Sequence, residues 1–444
     1  MILFIHRKDL RIDDMTAFDY IRNRQTVSLH ILIIDPHLIM DGREKEHSGI
    51  NFMRHVKRLK GLYAASNKKL YIAYGDPSAI IERLLQSHPI EEIVIQQDFT
   101  PYAIIRDHSI KTLANQYAVQ LTGCIDHALI DFGGFQQYAG RTEPYRVFTP
   151  FFRKWSEYMH TFFRPPSSAS LRNLEVHKSE ECSWLDEAIP FDLNDYQSAE
   201  EPSEVLEAFL ESPITSYHEN RDRYAIDGTS SLSSSINVGA ISIRVVYEAI
   251  LAKEQAESWR RQLAWRDFYL YQSLYDTDYY RYEKKYDLSA LSDRYWDRWH
   301  QAQTGIPIID AAMTELNLTG RMPNRLRMVT AMFLTKNLQC PFTLGEQYFR
   351  NKLSDYDNAL NRGGWLWCSS LGFDSAPYFR IMNPVTQSQT HDPTGFYIRK
   401  WLPELAHLSD KEIHLPQKHA IVDLKASRAE AIEVYKKLLG TKKA

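Results

Sequence analysis

The chain has 444 residues, of which 44% are hydrophobic and 25% are charged, and its formal net charge is −3. A chain of this length predicts two domains, and the composition excludes wholesale disorder and a fibrous repeat. The four cysteines lie far apart with no CxxC pair, which indicates neither a disulfide framework nor a bound metal. The N-terminus turns charged by residue 6 and no apolar run reaches membrane-spanning length, so we expect a cytoplasmic protein with no membrane segment.

Beta-rich runs alternate with helical patterns in the first third of the chain. Strands and helices that alternate on this spacing form a parallel sheet covered on both faces, so the pattern predicts a Rossmann-like α/β domain over residues 1–130. Asp76 and Pro77 mark the entry of one helix. No glycine-rich dinucleotide or phosphate loop follows the first strand, so the architecture alone implies no nucleotide there. The predicted strands are residues 2–6, 27–35, 69–76, 91–98 and 118–125, and the helices between them include 50–66 and 77–88.

Two segments of this half carry charge without apolar periodicity. The first, HRKDLRIDD at residues 6–14, follows the first strand, and we favour a solvated loop with local ion pairs over a ligand or domain contact. The second, residues 161–204, is rich in proline, serine and acidic residues, which predicts a connection on the surface. We therefore predict an interdomain linker at 131–202 and a second domain at 203–444.

The second domain is expected to be all-helical, because strand-like alternation nearly vanishes after residue 203. Pro307 lies near the start of a helix that ends at Gly320, and Pro323 starts another helix. Residues of this other helix that share an apolar face are Leu326, Val329, Thr330 and Phe333. Residues 258–400 contain 18 Lys/Arg against 14 Asp/Glu, and seven of the nine tryptophans follow residue 258. This combination is compatible with nucleic acid, although aromatic side chains are more often core.

Polar side chains recur at helical spacing in two places. The first stripe consists of Gln262, Trp265, Arg266 and Tyr269. A binding surface and an arginine that snorkels beside a half-buried tryptophan explain this stripe equally well. The second stripe consists of Asn324, Arg327 and Met328, with Arg325 beside it. It suits either a flat, polarizable ligand or a solvated face.

Two further segments carry hydroxyls, carboxylates and glycines. Residues 229–233 form a helix entry that suits a phosphate, although N-capping is the commoner use of such residues. Downstream, Gly363 and Gly364 permit a close backbone approach, while Trp365 and Trp367 cannot face the same direction. The polar residues ahead of these glycines are Asp355, Asp357, Asn358 and Asn361.

Four ordered blocks resemble the signature sequences of the DNA photolyase/cryptochrome family. They are TSSLS, WRDFY, TGIPIIDAAMTELNLTGRMPNRLRM and NRGGWLWCSSLGFDSAPYFRIMNP, and the likeness extends to RKDLRIDD and HDPTGFYIRKWLPEL. The resemblance covers nearly the whole chain and is greatest to class I cyclobutane pyrimidine dimer photolyases. It implies an α/β domain with a possible second chromophore (a reduced folate, a deazaflavin or a flavin), followed by a helical domain that binds FAD. No metal is implied.

The resemblance also implies roles for individual residues. Those that match FAD contacts of the family are Tyr217, Thr229, Ser230, Ser231, Leu232, Ser233, Trp259, Arg327, Asp355, Tyr356, Asp357 and Asn361. Among them, Arg327 and Asp355 resemble the ion pair beside the isoalloxazine, and Asn361 matches the residue that faces flavin N5. Those that match contacts to DNA or to the lesion are Arg221, Gln262, Trp265, Arg266, Asn324, Arg325, Met328, Trp367, Arg380 and Gln387.

The implied activity is light-driven repair of cyclobutane pyrimidine dimers in DNA. Excited reduced FAD donates an electron to a flipped dimer, the cyclobutane ring splits, and the electron returns. Trp265 and Trp367 resemble the indoles that sandwich the dimer. The residues assigned to this chemistry are Asn361, Gln262, Met328 and Trp365. We expect a monomer whose partner is dimer-containing DNA.

The sequence departs from the family pattern in three respects. Gln262 replaces the usual glutamate, and an amide cannot share a carboxyl proton with a transient radical anion. Of the three tryptophans that usually reduce FAD, Trp365 matches the one nearest the flavin, but Phe342 and Ser289 occupy the other positions. Candidate substitutes are Trp296, Trp299, Tyr348 and Trp367. The segment QQDFTPYAIIRD lacks the glutamate of several folate-type antenna sites.

Two other functions compete with this interpretation. A cryptochrome-type photoreceptor would bind FAD without repairing DNA, but only 39 residues follow WLPEL, which leaves little room for a signalling tail. A (6-4) photolyase is supported by Gln262, because those enzymes tend to carry glutamine there. Met328 opposes it, because they carry histidine at that position.

Overall fold

The computed structural model describes residues 1–187, 189–372 and 374–440, which divide into two compact units. Unit 1 consists of Met1–Thr142, Arg153–Glu211 and Ser230–Asp267, and unit 2 consists of Glu143–Phe152, Ser212–Thr229 and Phe268–Ala444. The division falls inside two helices, Phe148–Phe162 and Glu257–Tyr275. The domain boundaries that the sequence predicts at residues 130 and 202 stay a prediction.

Unit 1 contains a five-stranded parallel sheet, as predicted from the alternating pattern. The order is β3-β2-β1-β4-β5 and every neighbouring pair is parallel. The strands are β1 (Ile2–His6), β2 (Ser28–Ile34), β3 (Tyr71–Tyr74), β4 (Glu92–Gln96) and β5 (Gln120–Cys124). Each lies within a predicted run.

Two apolar clusters cover the two faces of this sheet. Phe4 belongs to the cluster that also contains Phe18 and Met53, whereas its neighbours Leu3 and Ile5 belong to the other cluster. Successive side chains of a strand point to opposite faces, so a strand buried on both sides is apolar throughout. The helices that lie within unit 1 are Thr16–Arg24, His47–Ala65, Pro77–Ser87, Pro101–Gln116, Phe132–Ala139, Trp184–Glu187, Pro202–Glu211, Ser233–Asn237 and Ile243–Leu251.

Local signals set the helix ends that the sequence predicts. Asp76 caps the helix Pro77–Ser87 by accepting a hydrogen bond from Ala79 N at 2.9 Å. In unit 2, the helix Pro307–Thr319 ends at Gly320, whose φ of 70° is left-handed and suits glycine. Both predictions are confirmed.

The stretch of residues 6–14 is not the solvated loop that we favoured. Arg11 and Asp14 are buried, and both join a network with Asp126 and Arg244. Arg244 Nη1 lies 2.8 Å from Asp126 Oδ1, and its Nη2 lies 2.9 Å from Asp14 Oδ1. Burial opposes the charge of Arg244, but the two carboxylates outweigh burial and raise its pKa. The charges of this stretch therefore serve long-range ion pairs.

The segment of residues 161–204 departs from the predicted surface connection. Leu171 and Leu174 are buried in one of the sheet clusters, and Cys182 is buried in the other. Ser28 N donates to Glu175 O at 2.9 Å, which connects the segment to the first residue of β2. Most described residues of the segment are partly or fully exposed, as predicted, and the surface expectation is wrong only for the buried ones. Isolated apolar residues in a polar stretch produce no periodic pattern from which their burial could be predicted.

Unit 2 is helical. The predicted apolar face of its helix Asn324–Met332 is confirmed, because Leu326, Val329 and Thr330 are buried; Phe333, also buried, opens a following π-helix, Phe333–Asn337. The other helices that lie within unit 2 are Tyr217–Asn220, Trp296–His300, Pro307–Thr319, Phe342–Lys352, Asn358–Cys368, Pro384–His391, Phe396–Trp401 and Leu424–Gly440. Across the described part of the chain, no helix combines the length and apolar character needed to cross a membrane.

Candidate functional site

The hydroxyl-rich turn of residues 229–233 precedes a short helix, Ser233–Asn237. Leu232 occupies the cap position and makes no side-chain cap bond, because leucine has no acceptor. Ser231 has a positive φ of 51°, and its side chain is exposed like those of Thr229 and Ser233. The N-capping interpretation of this turn is therefore wrong for this helix.

Two buried aromatic residues belong to the predicted flavin set. Trp259 is 4% exposed and packs on Phe209, with ring centroids 5.2 Å apart, in unit 1. Tyr217 is buried in unit 2, and the guanidinium of Arg221 lies 5.7 Å from the centre of its ring. Burial raises the pKa of the Tyr217 hydroxyl, so this group stays a neutral donor at physiological pH.

An ion pair in unit 2 joins the helix Asn324–Met332 to the turn that precedes the helix Asn358–Cys368. Arg327 Nη2 donates to Asp355 Oδ2 at 2.9 Å, and Arg327 Nε donates to Met322 O at 2.9 Å. Both charged side chains are partly buried. The guanidinium is held by two fixed acceptors, so its plane has one orientation.

The residues that follow Asp355 build the start of the helix Asn358–Cys368. Asp357 Oδ1 caps this helix by accepting from Ala359 N at 2.9 Å and Leu360 N at 3.1 Å. Tyr356 donates its hydroxyl hydrogen to Asn358 Oδ1. One turn into the helix, Asn361 Nδ2 donates to Glu346 O at 3.0 Å, which fixes the side-chain amide.

The two glycines of this helix differ in their surroundings. A Cβ on Gly363 would lie 2.2 Å from Tyr269 Cδ1 and 2.6 Å from the Tyr279 hydroxyl, so the prediction of close approach is confirmed there. A Cβ on Gly364 would have no described neighbour within 4 Å, so the close approach predicted at this glycine stays a prediction. Trp365 is buried and Trp367 is partly exposed, as expected for two side chains on opposite faces of one helix.

The polar stripe of the helix Asn324–Met332 is accessible. Asn324 is exposed, and its Nδ2 lies 3.9 Å from Met328 Sδ. Cys368 Sγ lies 3.8 Å from Met328 O, which brings the C-terminal end of the Trp367 helix against this stripe. Among the other predicted DNA contacts of unit 2, Arg380 is exposed, and Arg221 and Gln387 are partly exposed.

Arg325 pairs with a residue that the sequence did not indicate. Its Nη2 donates to Asp222 Oδ2 at 2.6 Å. Arg325 lowers the pKa of Asp222 even though partial burial works against this shift. The two residues are 103 positions apart, and no periodic pattern connects them.

In unit 1 the stripe on the helix Glu257–Tyr275 is half accessible. Gln262 and Trp265 are partly exposed, and Gln262 Nε2 donates to Ser258 O at 3.2 Å. Arg266 is 8% exposed and its Nη1 donates to His127 O, so the snorkelling alternative is wrong.

The residue after Arg266 anchors this part of the helix, and sequence reasoning missed it. Asp267 is fully buried and accepts from Trp155 Nε1 at 2.9 Å and from the backbone N–H groups of Leu129 and Ile130. Burial raises the pKa of Asp267 to about 6 in spite of these donors. The sequence WRDFY does not indicate which distant groups donate hydrogen bonds to its aspartate.

Family comparisons match both ends of the chain. Residues 2–169 match the family model described as DNA photolyase, and residues 259–441 match the FAD binding domain of DNA photolyase. The chain belongs to the DNA photolyase family. Its helical half carries the FAD-binding domain of these photolyases.

Relatives of this photolyase-family chain extend over almost its full length. A deoxyribodipyrimidine photo-lyase from Alkalihalophilus pseudofirmus is 34% identical over 93% of this chain and 89% of the relative. A bacterial class III photolyase from Agrobacterium tumefaciens has a TM-score of 0.84 at 26% identity, with 99% of this chain and 98% of that chain covered. An archaeal photolyase from Sulfolobus tokodaii, solved with two FAD molecules, has a TM-score of 0.83 at 25% identity, with 98% and 100% covered.

Proposed function

We propose that this chain is a deoxyribodipyrimidine photo-lyase of class I that repairs cyclobutane pyrimidine dimers. The observation that carries the proposal is the exposure of four tryptophans. Trp265 and Trp367, which resemble the two stacking indoles, are partly exposed, whereas Trp259 and Trp365 are buried. An indole that stacks on a base must be accessible, and a buried one serves the cofactor or the core. Curated relatives with this name support the same activity.

The donor set fits FAD. The exposed hydroxyls of Thr229, Ser231 and Ser233 suit its pyrophosphate, because no side-chain cap bond occupies the start of the helix Ser233–Asn237. The oriented guanidinium of Arg327 and the fixed amide of Asn361 suit the polar edge of an isoalloxazine. Excited reduced FAD, when bound, supplies the electron that splits the dimer.

The remaining residues of the flavin set have supporting roles in this proposal. Tyr217 offers a neutral hydroxyl to the cofactor phosphates, and Trp259 packs beside the cofactor. Asp355 keeps Arg327 in place, while Tyr356 and Asp357 shape the start of the helix that carries Asn361.

The DNA set divides into residues that read the lesion and residues that contact phosphates. Trp265 and Trp367 stack on the flipped dimer, and Met328 contacts it with a polarizable thioether. Gln262 and Asn324 offer amides to its carbonyl and imide groups. The residues that contact phosphates or flanking nucleotides are Arg221, Arg325, Arg380 and Gln387. Arg266 acts differently, because its buried guanidinium holds His127 O and thereby orients the turn of helix that carries Trp265.

The decisive experiment is a repair assay on two substrates. FAD-loaded protein is reduced chemically, mixed with an oligonucleotide that contains one defined cyclobutane thymine dimer, and illuminated with blue light. We expect thymine absorbance to return. An oligonucleotide with a (6-4) product tests the second candidate, which Gln262 favours and Met328 opposes. If the fully reduced protein repairs neither lesion, this proposal is wrong and the cryptochrome-type photoreceptor function is favoured instead.

The absorption spectrum of the purified protein tests the remaining parts of the proposal. We propose that unit 1 takes a second chromophore of the reduced folate, deazaflavin or flavin class, and these classes differ in visible absorbance. We also propose that the protein is a cytoplasmic monomer that finds dimers in DNA, which sedimentation and fractionation of cells check directly.

A further inference from the structure

The positions that match two of the family's redox tryptophans cannot carry an electron hole in this chain. Phe342 is buried against the guanidinium of Arg362, which lies 5.0 Å from its ring centre, and Ser289 is an exposed aliphatic hydroxyl. A benzyl ring is much harder to oxidise than an indole, the more so beside a guanidinium, and an aliphatic hydroxyl has no aromatic ring that could hold the hole. Any hole that forms on Trp365 must therefore leave by another route.

A continuous series of aromatic ring contacts leads away from Trp365 within unit 2. Trp365 and Trp299 have ring centroids 6.3 Å apart at an interplanar angle of 70°. Trp299 and Trp296 follow, with centroids 5.7 Å apart and rings inclined by only 30°. At these separations the ring edges are in van der Waals contact, so no saturated gap interrupts the series.

The first two rings of this series are held rigidly. A Cβ on Gly345 would lie 2.1 Å from Trp365 Cη2, so only glycine lets the indole lie against the helix Phe342–Lys352. Phe349 packs on both indoles, 5.1 Å from Trp365 and 6.1 Å from Trp299. Trp299 Nε1 donates to Thr330 O at 3.2 Å, which fixes its orientation.

Burial along the series favours outward movement of positive charge. Trp365 is 2% exposed and Trp299 is 0% exposed, whereas Trp296 is partly exposed. A charged indole costs less free energy where water reaches it than in the core. The hydrogen-bond partner of Trp299 Nε1 is a backbone carbonyl, which is too weak a base to accept a proton. A hole on Trp299 therefore stays a cation until it moves to Trp296, which can release its proton to water.

We propose that Trp299 and Trp296 replace the family's usual residues as the path that refills Trp365 during light-driven reduction of FAD. This inference rests on the proposed binding of FAD next to Trp365. One electron leaves the Trp365 indole for photoexcited oxidised FAD; Trp299 refills Trp365, and Trp296 refills Trp299. Oxidised Trp296 loses its indole proton to solvent and regains one electron and one proton from an external thiol. Two turns oxidise two thiols to one disulfide.

Tyr348 touches the same rings but is not the terminus in this scheme. Its centroid lies 5.7 Å from Trp296 and 6.1 Å from Trp299. Its hydroxyl donates to Asn317 Oδ1 at 2.6 Å. A phenol must lose its proton when it is oxidised, and an amide oxygen is too weak a base to take that proton.

The test compares single Trp→Phe variants of the full chain loaded with FAD. Flash absorption measures tryptophanyl radicals, and continuous blue light with a thiol measures the loss of oxidised-flavin absorbance. Trp299→Phe should abolish the long-lived radical and slow photoreduction to the level of Trp365→Phe. Trp296→Phe should shorten the radical lifetime, and Tyr348→Phe should leave it unchanged. Trp401→Phe is the matched control, because Trp401 lies in unit 2 and its ring packs on Tyr397, with centroids 6.5 Å apart.

Each outcome decides the proposal. FAD content per protein is measured first, and Trp296→Phe carries the test if Trp299→Phe does not retain the cofactor. If Trp299→Phe and Trp296→Phe are photoreduced as fast as Trp401→Phe, the proposed path from Trp365 through Trp299 to Trp296 is wrong. If Tyr348→Phe slows photoreduction and Trp296→Phe does not, Trp296 is not the terminus of the path. Repair by chemically reduced Trp299→Phe, Trp296→Phe and Tyr348→Phe should be normal. Loss of repair in all three and in the unsubstituted protein would count against the proposed function and leave the redox path intact.

Discussion

Arg325 and Asp222 form a close ion pair, with 2.6 Å between Nη2 and Oδ2. Arg325 is one of the arginines proposed to contact DNA, and Asp222 follows another, Arg221. In the absence of nucleic acid, the Asp222 carboxylate therefore accepts a hydrogen bond from the Arg325 guanidinium that a DNA phosphate would otherwise accept. A phosphate that binds Arg325 must compete with Asp222 or bind at other N–H groups of the fork. The pair is partly exposed, so its own contribution to folding stability is small.

Replacing these two residues should change DNA affinity in opposite directions. Arg325→Gln should weaken binding to damaged and undamaged DNA alike and lower the slope of log affinity against log salt by about 1. Asp222→Asn should strengthen binding to both, because no carboxylate then competes for the guanidinium. Titrations at several salt concentrations measure both effects. An unchanged slope for Arg325→Gln would show that this arginine contacts no phosphate.

Trp265→Ala should reduce the affinity for dimer-containing DNA by about 1–3 kcal/mol, the usual range for loss of one stacking contact. Undamaged duplex keeps its bases stacked internally, so its affinity should change little. Trp184→Ala is the control, because this half-buried indole stacks on the Arg83 guanidinium 3.7 Å away. Fluorescence anisotropy with matched oligonucleotides gives the comparison. Equal losses on the two DNAs would remove the stacking role.

Adjacent glycines in the helix Asn358–Cys368 should respond differently to the same substitution. Gly363→Ala places a methyl group 2.2 Å from the Tyr269 ring, and overpacking of this kind costs about 1–3 kcal/mol of unfolding free energy. Gly364→Ala meets no described atom within 4 Å and should add about 0.5–1 kcal/mol through helix propensity. Urea denaturation measures the unfolding free energy of Gly363→Ala and Gly364→Ala. Equal changes in the two variants would contradict the prediction.

Lys336 should make stability rise with pH. Burial lowers the pKa of its amine to about 6, and Nζ lies 3.2 Å from the centre of the Tyr435 ring. Between about pH 6 and the unfolded value of about 10.4, the unfolded chain binds the proton and the folded chain does not. The free energy of unfolding of the wild type should therefore gain about 1.4 kcal/mol per pH unit relative to Lys336→Met in this window. Parallel pH curves for the two proteins would refute the prediction.

The sequence by itself determined the elements whose causes are local. The strands of the parallel sheet, the Asp76 cap and the Gly320 helix end each depend on residues within a few positions, so periodicity and capping residues predict them. The buried side of the helix Asn324–Met332 follows from the same periodicity. The family signatures add the FAD-binding domain because their blocks are long and ordered.

Only the tertiary structure decided which distant residues meet. The pairing of Arg325 with Asp222, the network that buries Arg11 and Asp14, and the contact of Trp365 with Trp299 join residues far apart in the chain. The contrast between Gly363 and Gly364 likewise depends on a tyrosine from another helix. Such contacts arise when separate segments pack against each other, and a pattern that compares near neighbours contains no information about them.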